Sequence, residues 1–110
     1  MRPTGKLPAI RDLRTLDLAN YVRRGAARPA YPSVCNWGDK LTRPGMMLND
    51  RLACCTCASA GHMVQTWTAN EMGRQAPIPD RSVERLYRLS CGYDGTPDTD
   101  RGGYALEVLK

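Results

Sequence analysis

The longest amphipathic pattern in the chain predicts a helix over residues 55–70. Ala58, Met63, Val64 and Trp67 recur there near helical spacing and mark the side expected to be buried. We expect this helix to be the longest in the chain. Met63 and Trp67 are expected to pack against the helix that follows it.

A second helix is predicted after the breaking segment "GRQAPIPD". Asp80 is a good N-cap residue, because its carboxylate can accept hydrogen bonds from the unpaired N–H groups of a first helical turn. Val83, Leu86, Tyr87 and Leu89 follow near helical spacing and form the predicted apolar side.

A third helix is predicted to begin in "YALEVLK", the last segment of the sequence. Residues 34–53 are irregular, with turn signals at Gly38-Asp39 and Pro44-Gly45. No run of useful strand length alternates apolar and polar residues. The pattern therefore predicts a mainly α chain with little or no sheet.

Residues 1–33 differ from the rest of the chain, because they contain four prolines and two glycines. One short helix is predicted in "RDLRTLDLANYVRR", where Leu13, Leu16 and Tyr21 stand near helical spacing. The remainder is expected to be extended and draped over a partner or over the domain. We therefore divide the chain into an N-terminal arm, 1–33, and a helical domain, 34–110.

The formal net charge of +5 belongs to this arm, since residues 31–110 carry equal numbers of basic and acidic residues. A solvated arm, contact with an acidic partner surface and contact with nucleic acid are three open interpretations. No recognised nucleic-acid module accompanies the charge, which argues against specific reading of nucleic acid. The basic residues concerned are Arg2, Lys6, Arg11, Arg14, Arg23, Arg24 and Arg28.

The cysteine count and the apolar runs bear on the compartment. Five cysteines is an odd number without regular spacing, which favours a reducing compartment over a secreted disulfide scaffold. The basic N-terminal segment has no apolar stretch of the kind found in secretory signals, and no apolar run approaches the roughly 20 residues of a membrane span. We expect a chain that is neither secreted nor bound to a membrane.

Three cysteines fall close together at the predicted start of the first helix, at Cys54, Cys55 and Cys57. Their spacing does not suit zinc, which takes cysteine pairs two to four residues apart, so no metal site is expected. Adjacent cysteines cannot form an unstrained disulfide. We expect Cys54 and Cys57 to fill the core. Cys55 opens the helix, where unpaired N–H groups favour a thiolate.

The segment "YPSVCNWGDKLTRPGMMLNDRLACCTCASA" resembles the N-terminal stretch of papain-like cysteine peptidases. Pro32, Val34, Asn36 and Trp37 match the start of the mature peptidase domain, and Cys55 stands where the family has its nucleophile. The resemblance implies the helical half of a papain-like α+β fold, with the catalytic cysteine opening the central helix.

A closer resemblance is to papain-like proteins of bacteriophages and prophages. Their pattern of Asn-Asp before the cysteine and His after it is similar to "NDRLACCTCASAGH", with Asn49, Asp50, Cys55 and His62 in place. The downstream loop "GYDGTPDTDRG" is also similar. The resemblance covers about residues 32–110 and implies that the Asn49 amide stands in the position of the oxyanion-hole glutamine.

The departures from the family pattern weaken the catalytic interpretation. Ala53 and Cys54 replace Gly-Asp, and Thr56 replaces the tryptophan of papains. The family's catalytic His and Asn come from a β-rich half beyond residue 110. His62 lies seven residues after Cys55 on the same predicted helix, about 10.5 Å along its axis, which is too far for a general base.

We therefore expect a non-catalytic structural or interaction protein on a papain-like half-fold, as a capsid-associated or decoration component of a bacteriophage virion. It would be found in the virion or the host cytoplasm, with protein subunits as partners and no cofactor. The alternative is a cysteine peptidase or amide hydrolase with Cys55 as nucleophile and a His supplied in trans or by a further C-terminal half. In that case the Asn49 amide and the Cys55 N–H would stabilise the oxyanion. An inhibitor-type binding protein is the third possibility. The arm is expected to become ordered only against a partner.

Overall fold

A computed structural model describes residues 5–23 and 25–110. Within those ranges the regular structure is helical, and the single β-type pairing is an isolated parallel bridge between Lys6 and Gly103. The prediction of a mainly α chain with little or no sheet is confirmed. The α-helices are α1, Cys55–Glu71; α2, Asp80–Cys91; and α3, Ala105–Val108, with 3₁₀ turns at Leu18–Asn20 and Pro97–Thr99.

The bounds of α1 agree with the prediction to within one residue, and α1 is the longest helix described. Cys54 precedes it without a side-chain capping bond. At the other end Gly73 adopts a positive φ of 67°, the left-handed conformation that commonly terminates helices. No helix in the described part of the chain is long and apolar enough to cross a membrane.

The buried side of α1 consists of small residues, and the prediction that Met63 and Trp67 pack against α2 is wrong. Trp67 is 61% exposed, and Met63 and Val64 are also on the surface, whereas Ala58 is buried as predicted. The buried positions of α1 are Thr56, Cys57, Ala58, Gly61, Gln65 and Ala69.

Gly61 explains why the side of α1 with small residues is the buried one. A Cβ atom on Gly61 would lie 2.5 Å from Met47 Sδ and 3.4 Å from the Ile78 side chain. The Met47 side chain therefore packs directly on the helix backbone at Gly61, in space that a Cβ atom would occupy. Periodicity marked large apolar residues as the buried face, but close packing selected the small ones.

Two details of α2 differ from the prediction. Pro79 takes the N-cap position, and Asp80 becomes the first helical residue, where its carboxylate still lies at the positive end of the helix. Val83 and Tyr87 are buried, but Leu89 is 76% exposed. Leu89 is six residues from Val83, which on an α-helix places it on the far side of the axis.

The core lies between the three helices and the loop before α1. Tyr87 is its largest fully buried side chain, and it stacks on Tyr93 with ring centroids 5.0 Å apart. Cys54 and Cys57 are also fully buried, so the prediction that they fill the core is confirmed. The buried cluster comprises Met47, Leu48, Cys54, Cys57, Ala58, Val83, Tyr87 and Val108.

The short helix predicted in the arm does not form beyond the single turn Leu18–Asn20. Leu13 is 90% exposed, and Leu16 and Tyr21 are exposed as well. An isolated short helix is marginal in water unless an apolar face is packed. In the described chain Leu13, Leu16 and Tyr21 do not pack against other apolar residues, so the prediction of a helix here is wrong.

The first residues of the arm belong to the domain. Gly103 N–H donates to Gly5 O at 2.8 Å, and Leu7 N–H donates to Gly103 O at 3.1 Å. Lys110 Nζ lies 3.9 Å from the Asp12 carboxylate. The expectation that the arm becomes ordered only against a partner is therefore wrong for residues 5–7. Arg2 and Arg24 lie outside the described residues.

Candidate functional site

Cys55 is half-buried at the first position of α1, which confirms the prediction that it begins the longest helix. The N–H groups of a first helical turn have no partner within the helix, and the helix dipole places partial positive charge there. The 17 residues of α1 give this end a full dipole. The position therefore favours negatively charged groups near the start of α1.

A groove of about 240 Å³ runs along α1 beside Cys55. The start of the arm and α3 both contribute to it, so it exists because residues 5–7 are docked on the domain. Its walls are mainly apolar, with the Lys6 ammonium as the one charged group among the lining residues. These are Lys6, Cys55, Thr56, Ser59, Ala60, Met63, Ala105 and Leu109.

The neighbouring thiols are in a different environment. Burial raises the pKa of Cys54 to about 11, and its Sγ donates to Met47 O at 3.5 Å. Burial, with a smaller contribution from Cys91, raises the pKa of Cys57 to about 12. Both groups are therefore neutral thiols near pH 7. Of the three clustered cysteines, Cys55 alone reaches the surface.

Asn49 lies on the surface in the turn before α1, and its N–H donates to Met46 O at 3.0 Å. It is not among the residues that line the groove at Cys55. The described structure therefore does not bring the two residues of the predicted oxyanion site together in one cavity. The role of Asn49 stays a prediction.

His62 faces Gln65 on the same helix, with Nδ1 3.2 Å from Gln65 Oε1. It lies about two turns beyond Cys55, as the sequence indicated, and it does not line the Cys55 groove. Its side chain is a partnered helix-face histidine. Among the residues that line the Cys55 groove there is no His, Asp or Glu that could act as a general base for Cys55.

The loop that precedes Cys55 is held by Asp100, a residue that sequence reasoning missed. Asp100 Oδ1 accepts from Ala53 N–H and from the Tyr87 hydroxyl, each at 2.8 Å. Gly102 N–H in turn donates to the Tyr87 oxygen at 2.9 Å. Burial and the Asp100 carboxylate both raise the pKa of Tyr87. This network fixes the start of α1 against α2.

The Cys55 groove carries no arrangement that would bind a metal. Across residues 5–23 and 25–110, no group of three or more His, Cys, Asp or Glu side chains has a geometry that could hold a metal ion. The chemistry available in the described groove is therefore that of one thiol, one ammonium group and the hydroxyls of Thr56 and Ser59, between mainly apolar walls.

Comparison with known proteins does not extend this picture: no protein-family model, no curated protein and no solved structure matches the chain. The resemblance to papain-like proteins rests on the residues named above and stays a hypothesis.

The different environments of the cysteines predict a clear order of alkylation. With iodoacetamide near pH 7, we expect the exposed Cys35 and the half-buried Cys55 to react at least about tenfold faster than Cys54 and Cys57, whose thiols are buried. The rates are measured by quenching the reaction at set times, unfolding the chain and labelling the remaining thiols with an isotopic form of the reagent. Fragmentation mass spectrometry then gives the ratio of the two labels at each cysteine. Equal rates at all of these positions would contradict the packing of the α1 N-terminus.

Proposed function

We propose that this chain is a non-catalytic interaction protein that binds another protein subunit through the outer side of α1. The observation that carries the proposal is that α1 has two apolar sides and the described chain covers one of them. The resemblance to phage papain-like proteins suggests the setting, a capsid-associated or decoration component of a virion. On a papain-like half-fold, the uncovered side is the one that a second half would cover.

The uncovered side is defined by Met63, Val64 and Trp67, and we call it the outer face of α1. Its three large side chains are all exposed. Exposed apolar residues that stand singly are ordinary, but a contiguous group marks an interaction surface. Leu109 extends the outer face at the Cys55 groove, where Met63 is also a lining residue.

A cleft of about 560 Å³ continues the outer face toward the end of α1. Trp37 and Trp67 both line it, and both are more than half exposed. Asn70 Nδ2 donates to Trp37 O at 2.9 Å and holds the Trp37 loop beside the helix. Exposed tryptophans in a preformed cleft are typical anchors of protein–protein contacts.

The charge beside the outer face indicates what kind of subunit would bind. Lys6 stands at the groove that Met63 lines, and Glu71 lines the cleft at the other end of the face. Elsewhere on the arm, in the described part of the chain, Arg11, Arg23 and Arg28 form no ion pair, whereas Arg14 is paired with Asp12 at 2.7 Å. A partner with an apolar patch and an acidic group opposite Lys6 would complement this surface, and its association rate would fall with added salt.

A cysteine peptidase or amide hydrolase is the second candidate, and one observation favours it. Cys55 is the accessible thiol of its cluster, at a helix N-terminus and in a mainly apolar groove. A partner that supplies a histidine could deprotonate it. A pH-independent alkylation rate at Cys55 near neutral pH would support this candidate, whereas a rate that rises up to about pH 8 or above would indicate an ordinary thiol.

The interaction proposal predicts that charge on the outer face abolishes binding. A photoreactive benzoylphenylalanine at position 67, in cells that carry the gene, would crosslink the partner, and mass spectrometry would identify the contacted peptide. With that partner purified, the double variant Met63→Lys, Trp67→Lys is expected to weaken binding at least about a hundredfold. It removes two apolar side chains that the partner would bury in the complex.

Leu89→Lys is the control, because Leu89 is a large apolar residue, 76% exposed, that lies on α2. It should leave both binding and the helical circular dichroism unchanged. The proposal is wrong if position 67 crosslinks no better than position 89, or if the double variant binds normally. If this chain and its purified partner together hydrolyse a peptide or amide, and Cys55→Ser abolishes that hydrolysis, the enzymatic role replaces the structural one.

A further inference from the structure

Cys57 and Cys91 come together where α1 crosses the end of α2. Ser90 Oγ lies 3.9 Å from Cys57 Sγ and 3.4 Å from Cys91 Sγ, so one hydroxyl contacts both sulfurs. Cys91 is also close enough to Cys57 to contribute to the raised pKa of the Cys57 thiol. Both cysteines are reduced in the structure. Thirty-four positions separate them along the chain, and no sequence spacing indicates the pair.

We propose that Cys57 and Cys91 are a redox pair that forms a disulfide between α1 and α2 when the chain passes from reducing to oxidising surroundings. The oxidant is of the low-molecular-weight disulfide class, such as glutathione disulfide. The proposal does not depend on the outer face of α1 or on Cys55.

The burial of the two sulfurs sets the order of events. Cys91 is half-buried at the last residue of α2, whereas Cys57 is fully buried, so the oxidant reaches Cys91 first. The Cys91 thiolate attacks one sulfur of glutathione disulfide and forms a mixed disulfide, and one glutathione thiolate leaves. The Cys57 thiolate then attacks Cys91 Sγ, and the second glutathione leaves.

The balance is complete without any further reactant. Two protein thiols are oxidised to one disulfide, and one glutathione disulfide is reduced to two glutathione molecules, which take up the two protons released by the cysteines. The second step requires the Cys57 thiolate, and burial raises the pKa of that thiol to about 12. Formation is therefore slow at neutral pH and accelerates as the pH rises.

The same burial limits how the product can be reduced. Cys57 is fully buried, so a reductant must attack at Cys91, by the same approach that the oxidant uses. Gly103 lies close beside this sulfur, because a Cβ atom there would lie 2.3 Å from Cys91 Sγ. The bond would link α1 to α2 close to Gly103, where residues 5–7 dock on the domain. It would also hold the start of α1 in place.

The remaining cysteines do not offer a comparable pair. Cys54 Sγ is hydrogen-bonded to Met47 O, and Cys35 is exposed on the loop before the domain core. Cys55 opens onto the groove beside Lys6 and has no described contact with Cys91. Ser90 Oγ is hydrogen-bonded to Cys57 and Cys91, and it has no such contact with Cys35, Cys54 or Cys55.

The test uses the full chain with Cys35→Ser, Cys54→Ala and Cys55→Ser. These substitutions matter because Cys54, Cys55 and Cys57 share one tryptic peptide, so digestion alone does not show which of them is bonded to Cys91. Incubation with glutathione disulfide at pH 8 is expected to remove two hydrogens from the intact mass and to join the Cys57 and Cys91 peptides. The midpoint of thermal unfolding should rise by about 5 °C or more.

Cys91→Ala in the same background is the control, and it should give neither the crosslink nor the shift. If the triple variant does not fold, fragmentation of the oxidised natural sequence locates the bond instead. The proposal is overturned if Cys91 stops at the mixed disulfide with glutathione, if it pairs with Cys55, or if the oxidised chain unfolds at a lower temperature than the reduced one.

Discussion

Replacing Asp100 by alanine is expected to lower the free energy of unfolding by about 3 kcal/mol, a large share of the roughly 5–15 kcal/mol of a small domain. Asp100 Oδ1 accepts from both Ala53 N–H and the Tyr87 hydroxyl, and Ala53 and Tyr87 are buried. Removing the acceptor leaves two donors without a partner in positions that water does not easily reach, and each costs about 1–3 kcal/mol.

Asp100→Asn is the matched control, since the amide keeps an oxygen at the position of Oδ1 and should recover most of the loss. Tyr87→Phe should cost about 1–3 kcal/mol, because Gly102 N–H then loses its acceptor. Urea unfolding followed by circular dichroism measures all three variants. If Asp100→Ala proves no more destabilising than Asp100→Asn, the carboxylate does not anchor the loop before α1.

Replacing Gly102 by alanine is expected to undock residues 5–7 and to cost about 3 kcal/mol. Gly102 has a φ of 85°, which is strained for any residue with a Cβ by about 1–2 kcal/mol. A Cβ there would also lie 2.5 Å from Gly5 O, a backbone atom that cannot rotate away. The bridge between residues 5–7 and Gly103 would have to open to relieve the contact.

Gly73→Ala separates the two effects, because Gly73 has a similar φ of 67° and open space where a Cβ would stand. It should cost about 1 kcal/mol, from backbone strain alone. Urea unfolding gives the stabilities, and the rate of tryptic cleavage after Lys6 reports undocking, which should be fast in Gly102→Ala and unchanged in Gly73→Ala. Equal losses of stability in both variants would mean that the docking of residues 5–7 contributes nothing.

The local parts of the structure were predictable because local rules govern them. The start of α1 at Cys55 follows from the change of pattern after a turn-rich segment, and its end follows from Gly73, which favours the left-handed conformation. The start of α2 was predicted to within one residue, although Pro79 rather than Asp80 became the N-cap. The burial of Cys54 and Cys57 agreed with the usual preference of free cysteine.

The choice between two apolar sides of α1 depended on tertiary packing. Met63 and Trp67 have larger apolar side chains than Gly61 and Ala69, and nothing in the sequence states which neighbour packs on the helix. The Met47 side chain packs on the backbone at Gly61, and this contact lies on the buried side. The outer face, and with it the proposed partner surface, is what remained.

The sequence by itself determined that the chain is mainly α, where its two longer helices lie, and that Cys55 opens the first of them. Those features depend on residues within a few turns of one another, so periodicity, caps and turn residues are sufficient to specify them. The tertiary structure alone decided three others: the docking of Gly5 on Gly102 and Gly103, the anchoring of the Ala53 loop by Asp100, and the placement of Cys57 and Cys91 around the Ser90 hydroxyl. Each joins positions more than 30 residues apart in sequence, and the physical cause is close packing of backbone and buried polar groups, which leaves no periodic signal along the chain.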